Sequence, residues 1–201
     1  MGQTSVTSIN LILECIEINN KNSLNLILNI EQDLDNDHQT VDKLCYDLIK
    51  NFKLTEDQTR HVFSYMRCSS SLERIGDLSV KIVNHLNKIL EIDDDLLKTK
   101  ELLILARFIK NLINKSIMSL INKNIEMANE SISDEKENEI LKNKIVKSCI
   151  EAMRNNGGYI PKFFEIISIS NNLEKIGRLC KHIAENTIYI VLNKDLRSVD
   201  D

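Results

Sequence analysis

Two carboxylates stand one helical turn apart at Glu73 and Asp77, inside the run Leu72-Glu73-Arg74-Ile75-Gly76-Asp77. Like charges at i and i+4 on one helix repel by about 0.2–0.5 kcal/mol, and a cation between them reverses that sign. Oxygen-only ligands suit hard ions such as Mg²⁺, Mn²⁺ or iron rather than zinc. The competing reading is a solvated helix face with Arg74 alongside, and an E-x-x-x-D spacing alone favours that reading. Gly76 sharpens the question, because glycine inside a helix costs about 1 kcal/mol relative to alanine. The chain accepts that cost here and again at Gly177. Close packing between long helices would account for both glycines, as would room left for a ligand beside the carboxylate.

Other chemistries find little support. His38, His61, His85 and His182 form no H-x-x-x-H pair, and no Ser-His-acid or Cys-His arrangement follows from spacing. A di-metal carboxylate enzyme of the ferritin-like kind needs Glu-x-x-His motifs on its helices. The nearest string is a single Asp35-x-x-His38, so an enzyme of that class is disfavoured. Cys15, Cys45, Cys68, Cys149 and Cys180 are odd in number and lack a C-x-x-C pair, which reads as small core residues. Gly157-Gly158 lacks the rest of a phosphate-binding loop and reads as a turn between helices.

The elements that must position Glu73 and Asp77 are helices. Apolar recurrence at three and four residues predicts six of them, over 5–32, 37–53, 56–91, 95–129, 134–155 and 160–195. Thr55 with Gln58 makes a capping box for the third, and Ser133 before Asp134 and Glu135 predicts a cap for the fifth. Asn155-Asn156-Gly157-Gly158 is the clearest break, with Pro161 suited to the first turn beyond it. The segment 71–83 aligns with 172–184 at a constant offset of 101, with six identities in thirteen positions. The shared stripe is Leu72, Ile75, Ser79, Ile82, Leu86, Ile89 in one copy and Leu173, Ile176, Cys180, Ile183, Thr187, Ile190 in the other. Its three-four spacing is that of a bundle seam. On a wheel at about 100° per residue, Glu73 and Asp77 point away from it. The fold class is therefore all-α: two tandem antiparallel three-helix bundles related by duplication, over 1–93 and 94–201, packed along the third and sixth helices, each with its own core.

Composition agrees. Of 201 residues, 42% are hydrophobic and 28% charged, with five glycines and one proline, too little turn punctuation for a sandwich or barrel. A net charge of -4 gives no bulk attraction to phosphate backbones, and no basic run argues for nucleic acid. No apolar run approaches the roughly eighteen residues that span a bilayer, so any membrane contact would be peripheral. The opening MGQTSVTSIN lacks the pattern of an export signal, and Val6 breaks the myristoylation pattern; a cytoplasmic location is expected.

The residues around Glu73 and their later copy resemble the PhoU family, the regulators of bacterial phosphate uptake. LERIGD at 72–77 is similar to the family's signature helix. Leu173-Glu174-Lys175-Ile176-Gly177 followed by Ile183-Ala184-Glu185, Ile188-Tyr189, Asp195 and Arg197 is similar to its second copy and tail. Val41-Asp42-Lys43-Leu44 resembles the second-helix pattern, and Arg60 stands thirteen residues before Glu73. The resemblance implies a pair of three-helix bundles with carboxylate metal sites, an E-x-x-x-D motif in each half, and a divalent or trivalent ion (Mg, Mn or Fe). It implies Glu73, Asp77 and Asp42 as ligands in the first half and Glu174 in the second. It also implies a negative regulator that contacts a phosphate ABC transporter and a sensor histidine kinase, and a homodimer. This chain departs from the pattern. Arg178 replaces the second aspartate and favours a salt bridge with Glu174, His38 stands where an acid is common, and Gln58 replaces an aspartate. Glu135 and Glu139 could serve the second bundle, although an acidic first turn of a helix is the simpler role for them. A metal-free adaptor of the same family is the alternative function.

Overall fold

The computed structural model describes residues 1–18, 21–92, 100–155 and 160–196. Among them seven helices follow one another: α1 Gly2–Ile18, α2 Lys21–Asn51, α3 Glu56–Ile92, α4 Lys100–Asn122, α5 Ile125–Ser133, α6 Glu135–Asn155 and α7 Ile160–Leu192. The described residues contain no strand. The domain boundary expected at 93/94, the break at Asn156-Gly157-Gly158 and Arg197 lie outside the described residues.

The helices follow from the seam. All six stripe positions of α3 and all six of α7 are buried, most of them completely. These two long helices share the most extensive contact in the molecule. They run antiparallel: His85 of α3 bonds through Nδ1 to the carboxylate of Glu165 near the start of α7, and Lys88 Nζ lies 3.7 Å from the same group. Helices α1 and α4 pack on this pair and on each other, α2 lies along α3, and α5 and α6 lie along α7. The duplication is visible in the lengths. α2 covers 31 residues, and α5 with α6 cover the same span from Ile125 to Asn155, interrupted at Asp134. Each half thus supplies three helical layers, the middle layer of the second half being broken.

Four expectations are corrected. The core is not divided into two: one contiguous cluster runs from Val6, Ile9 and Ile12 of α1 through Ile75 and Ile82 of α3 and Ile109 of α4 to Ile176 and Ile183 of α7. The reason is that the two seams face each other, so burying one buries the other. The predicted helices 5–32 and 37–53 are divided differently, because α2 begins at Lys21 and continues through the acidic run 31–38. That run contains no glycine or proline, and helical hydrogen bonding continues through it. The predicted helix 95–129 likewise stops at Asn122. Lys123 adopts φ 50°, and the Asn124 side chain accepts a hydrogen bond from the Met127 N–H at 3.0 Å, capping α5. Ser133 is accordingly no cap, since its hydroxyl donates to the Asn129 carbonyl instead. The capping box is present: Thr55 N–H donates to Gln58 Oε1 at 3.0 Å and Gln58 N–H to Thr55 Oγ1 at 3.3 Å. All five cysteines are free and buried. Burial pushes the thiols of Cys15, Cys68 and Cys180 up to about 12, which suits inert packing residues.

Candidate functional site

Glu73 and Asp77 sit half-buried on the flank of α3 that faces α2, away from the seam. The register between these helices is fixed by contacts along their length. Leu34 fills the space left by Gly76, where an added Cβ would lie 2.8 Å from Leu34 Cδ1. His38 Nδ1 lies 2.9 Å from Ser69 Oγ, and Cys45 Sγ reaches the Val62 carbonyl at 4.0 Å. The two helices are therefore antiparallel, and the α2 residues brought to the level of Glu73 and Asp77 are Asp35 and Glu31. Gly76 serves close packing, one of the two roles open to it.

The electrostatics of this cluster are set by burial and by carboxylate charges that are offset only in part. Burial pushes the Glu73 carboxyl above the usual carboxylate range. The charges of Asp77 and Asp35 push in the same direction, and His38 and Arg74 offset them in part. The Glu31 carboxyl is raised likewise, first by burial and then by Asp35 and Asp77. The charges of Asp35 and Asp77 thus disfavour the charged forms of Glu31 and Glu73 across the two facing helices, the circumstance in which a cation or proton is taken up. The donor set fits a hard ion. The side chains do not yet converge: among the described residues no three acidic, histidine or cysteine side chains are close enough to hold an ion as they stand. Asp42 lies further along α2, with its Oδ2 3.7 Å from His38 Nε2, and it is not among the groups that shift Glu73.

Sequence reasoning missed Glu31 and Asp35. The signal is present, since they are themselves an i, i+4 acidic pair, but ending the first predicted helix at 32 leaves Glu31 in that helix and Asp35 in the link after it.

In the second half the same construction recurs with a different occupant. Asn138 of α6 stands opposite Gly177 as Leu34 stands opposite Gly76. Its side-chain amide donates to the Glu174 carbonyl at 2.9 Å, and a Cβ on Gly177 would come within 2.1 Å of that nitrogen. Glu135 and Glu139 then hold the places of Glu31 and Asp35. Glu174, almost fully buried, accepts two hydrogen bonds from Arg178, Nε to Oε1 at 2.5 Å and Nη2 to Oε2 at 2.8 Å. The expected salt bridge is present and bidentate. Glu174, Glu135 and Glu139 together hold the guanidinium in its charged form. This second cluster does not fit a metal, because a side-chain cation already occupies the carboxylates.

A family profile described as the PhoU domain matches this chain twice, over residues 1–86 and 102–187. The chain belongs to the PhoU family. A PhoU homolog named as an accessory protein of the phosphate-specific transport system in Clostridium acetobutylicum is 21% identical over 198 residues, covering 98% of this chain and 90% of that protein. The homolog 1 of Thermotoga maritima is 22% identical, covering 94% and 82%. PhoU of Escherichia coli is 25% identical over 160 residues, covering 79% of this chain and 66% of that one. In three dimensions, PhoU of Pseudomonas aeruginosa superposes with a TM-score of 0.89 at 16% identity, covering 96% and 93%. The regulatory PhoU of Streptococcus pneumoniae does so at 0.87 and 18%, covering 97% and 91%. The Clostridium, Thermotoga and Escherichia proteins are named as accessory proteins and the Streptococcus protein as a regulatory one, not as enzymes. No helix of the described residues is long and apolar enough to cross a membrane.

Proposed function

We propose that this PhoU protein is a cytoplasmic, non-catalytic negative regulator. It binds a hard divalent or trivalent cation at the first-repeat carboxylates and represses phosphate-responsive transcription through a phosphate ABC transporter and its sensor histidine kinase. The observation that carries the reading is the unneutralised carboxylate cluster of Glu31, Asp35, Glu73 and Asp77, set beside a second copy that holds its own arginine. In the first repeat the cation must come from outside. Glu73 and Asp77 would hold it from α3 and Glu31 and Asp35 from α2, after small rotamer changes, and it would lock the two helices together. Action through surfaces is supported by the end of α2, where Leu44 and Leu48, with Phe52 just beyond the helix, form an apolar stripe at four-residue spacing, each at least 42% exposed. Such stripes mark protein contacts. That face is also available for a homodimer.

The test is removal of the gene and measurement of phosphate-responsive transcription at high phosphate. Derepression is expected, restored by the wild-type gene and not by a Glu73→Ala/Asp77→Ala copy. Unchanged repression after deletion would refute the regulatory role. Full restoration by the double variant would refute the part assigned to the cation, leaving the metal-free adaptor, which Arg178 favours for the second repeat.

A further inference from the structure

Between α3 and α7 lies a cavity of about 460 Å³ lined by Arg74, Asp77, Leu78, Lys81, Lys175, Arg178, Leu179 and His182. Its two walls are copies of each other. Arg74 corresponds to Lys175, Leu78 to Leu179 and Lys81 to His182, each pair at the offset of 101 that relates the two repeats, so the groove straddles the local dyad. We propose that this groove binds a small, multiply charged phosphate anion. The groove shares Asp77 with the carboxylate cluster between α2 and α3, but its basic side chains belong to α3 and α7 and their binding of an anion needs no cation in that cluster.

The charges decide the ligand class. Arg74, Lys81 and Lys175 carry no salt bridge among the described residues, and they face one acidic side chain, Asp77. The fourth cation, Arg178, spends two of its five N–H groups on Glu174 and keeps three for a ligand. In a protein whose net charge is -4, basic side chains from two different helices converge on one concavity. A single negative charge would leave that concavity in surplus, and a dianion would match it. A tetrahedral oxyanion presents acceptors in every direction, which suits donors approaching from both walls, and guanidinium groups pair with it bidentately. Leu78 and Leu179 form an apolar floor that keeps the cations apart and limits their hydration. The volume lies within the range of small-ligand sites, about 300–1,000 Å³. Inorganic phosphate, pyrophosphate and the phosphate chain of a nucleotide share this chemistry.

The experiment is isothermal titration calorimetry of the full chain in chelator at low ionic strength, with inorganic phosphate, pyrophosphate or adenosine triphosphate as titrant and sulfate for comparison. Saturable one-to-one binding of at least one phosphate compound, tighter than sulfate and weakened by salt, is expected. Lys81→Gln/Lys175→Gln, two exposed changes that leave the core untouched, should weaken it by about tenfold or more with an unchanged circular dichroism spectrum. Asp77→Asn should tighten it severalfold, the opposite of its effect on cation uptake. The assignment is overturned if none of the three compounds gives a saturable isotherm, if sulfate binds as tightly as all of them, or if the double lysine variant binds as the wild type does. Because no metal is present, these outcomes are independent of the cation reading.

Discussion

Replacing Arg178 with aspartate would turn the second cluster into a copy of the first, and the consequence can be worked from the geometry. Removing one partner of a buried ion pair costs about 3–5 kcal/mol. Glu174 keeps only 5% of its side-chain surface, whereas Arg178 leaves 57% of its own in water, so the cost falls below the range for a fully buried pair and Arg178→Met should cost about 2 kcal/mol. Arg178→Asp adds a fourth carboxylate facing Glu174, Glu135 and Glu139 and should cost about 3 kcal/mol in chelator. For a chain of this size that is a drop of roughly 6–12 °C in Tm. A cation present at a hundred times its Kd would return about 2.7 kcal/mol. Thermal unfolding by circular dichroism in chelator and in Mn²⁺ reads both numbers. The wild type should gain one increment from Mn²⁺, through the first cluster, and Arg178→Asp two. A variant that unfolds with the wild type in chelator, or gains no more from Mn²⁺, would refute the idea that the guanidinium stands in for an external cation.

Three further outcomes are expected. The raised carboxyls of Glu31 and Glu73 bind protons more tightly in the folded chain than in the unfolded one. Their contribution is therefore complete below the ordinary carboxylate range and lost as pH rises through the raised values. Urea midpoints in chelator between about pH 4 and 7 should fall with pH less steeply for Glu31→Gln/Glu73→Gln than for the wild type. Gly177→Ala should be much the costlier of the two helical glycine changes, by about 2 kcal/mol or more by urea titration, because its methyl group collides with the Asn138 amide that holds the Glu174 carbonyl. Gly76→Ala meets only the end of Leu34, so its clash is offset by the gain of about 1 kcal/mol in helix propensity. The buried cysteines, with thiols pushed up to about 11 or 12, should react with a disulfide reagent only as fast as the chain unfolds.

The helical class, the duplicated stripe and the Thr55 capping box were legible because each is a local pattern whose physics is settled within a few residues. The stripe repeats at the bundle period, and every one of its positions is buried. The division of the first half into helices was not legible for the opposite reason. A stretch such as Glu31-Gln32-Asp33-Leu34-Asp35 looks like a loop when polarity is taken as the sign of a break, yet without glycine or proline nothing in it stops a helix. Its one apolar member, Leu34, is completely buried against Gly76. The break after Asn122 was hidden too, since it rests on Lys123 in a left-handed conformation that glycine or asparagine more commonly adopts.

The candidate site was half legible for a related reason. The α3 carboxylates belong to a motif, but their α2 partners are defined only by which residue of one helix stands opposite which residue of the other. That register is set by the small side at Gly76 and Gly177 and by what fills it, Leu34 in one repeat and Asn138 in the other. The two repeats then diverge together. Where leucine fills the gap, the carboxylates above it are offset only in part, by His38 and Arg74. Where asparagine fills it, the amide ties α6 to the Glu174 carbonyl while Arg178 neutralises the Glu174 side chain. Both devices join the same pair of helices, one by charges and bonds built into the chain and the other by a charge the chain lacks. A duplication that supplies its own cation in only one copy leaves the other copy's carboxylates as the place where an external cation would act, which is the asymmetry the proposed function uses.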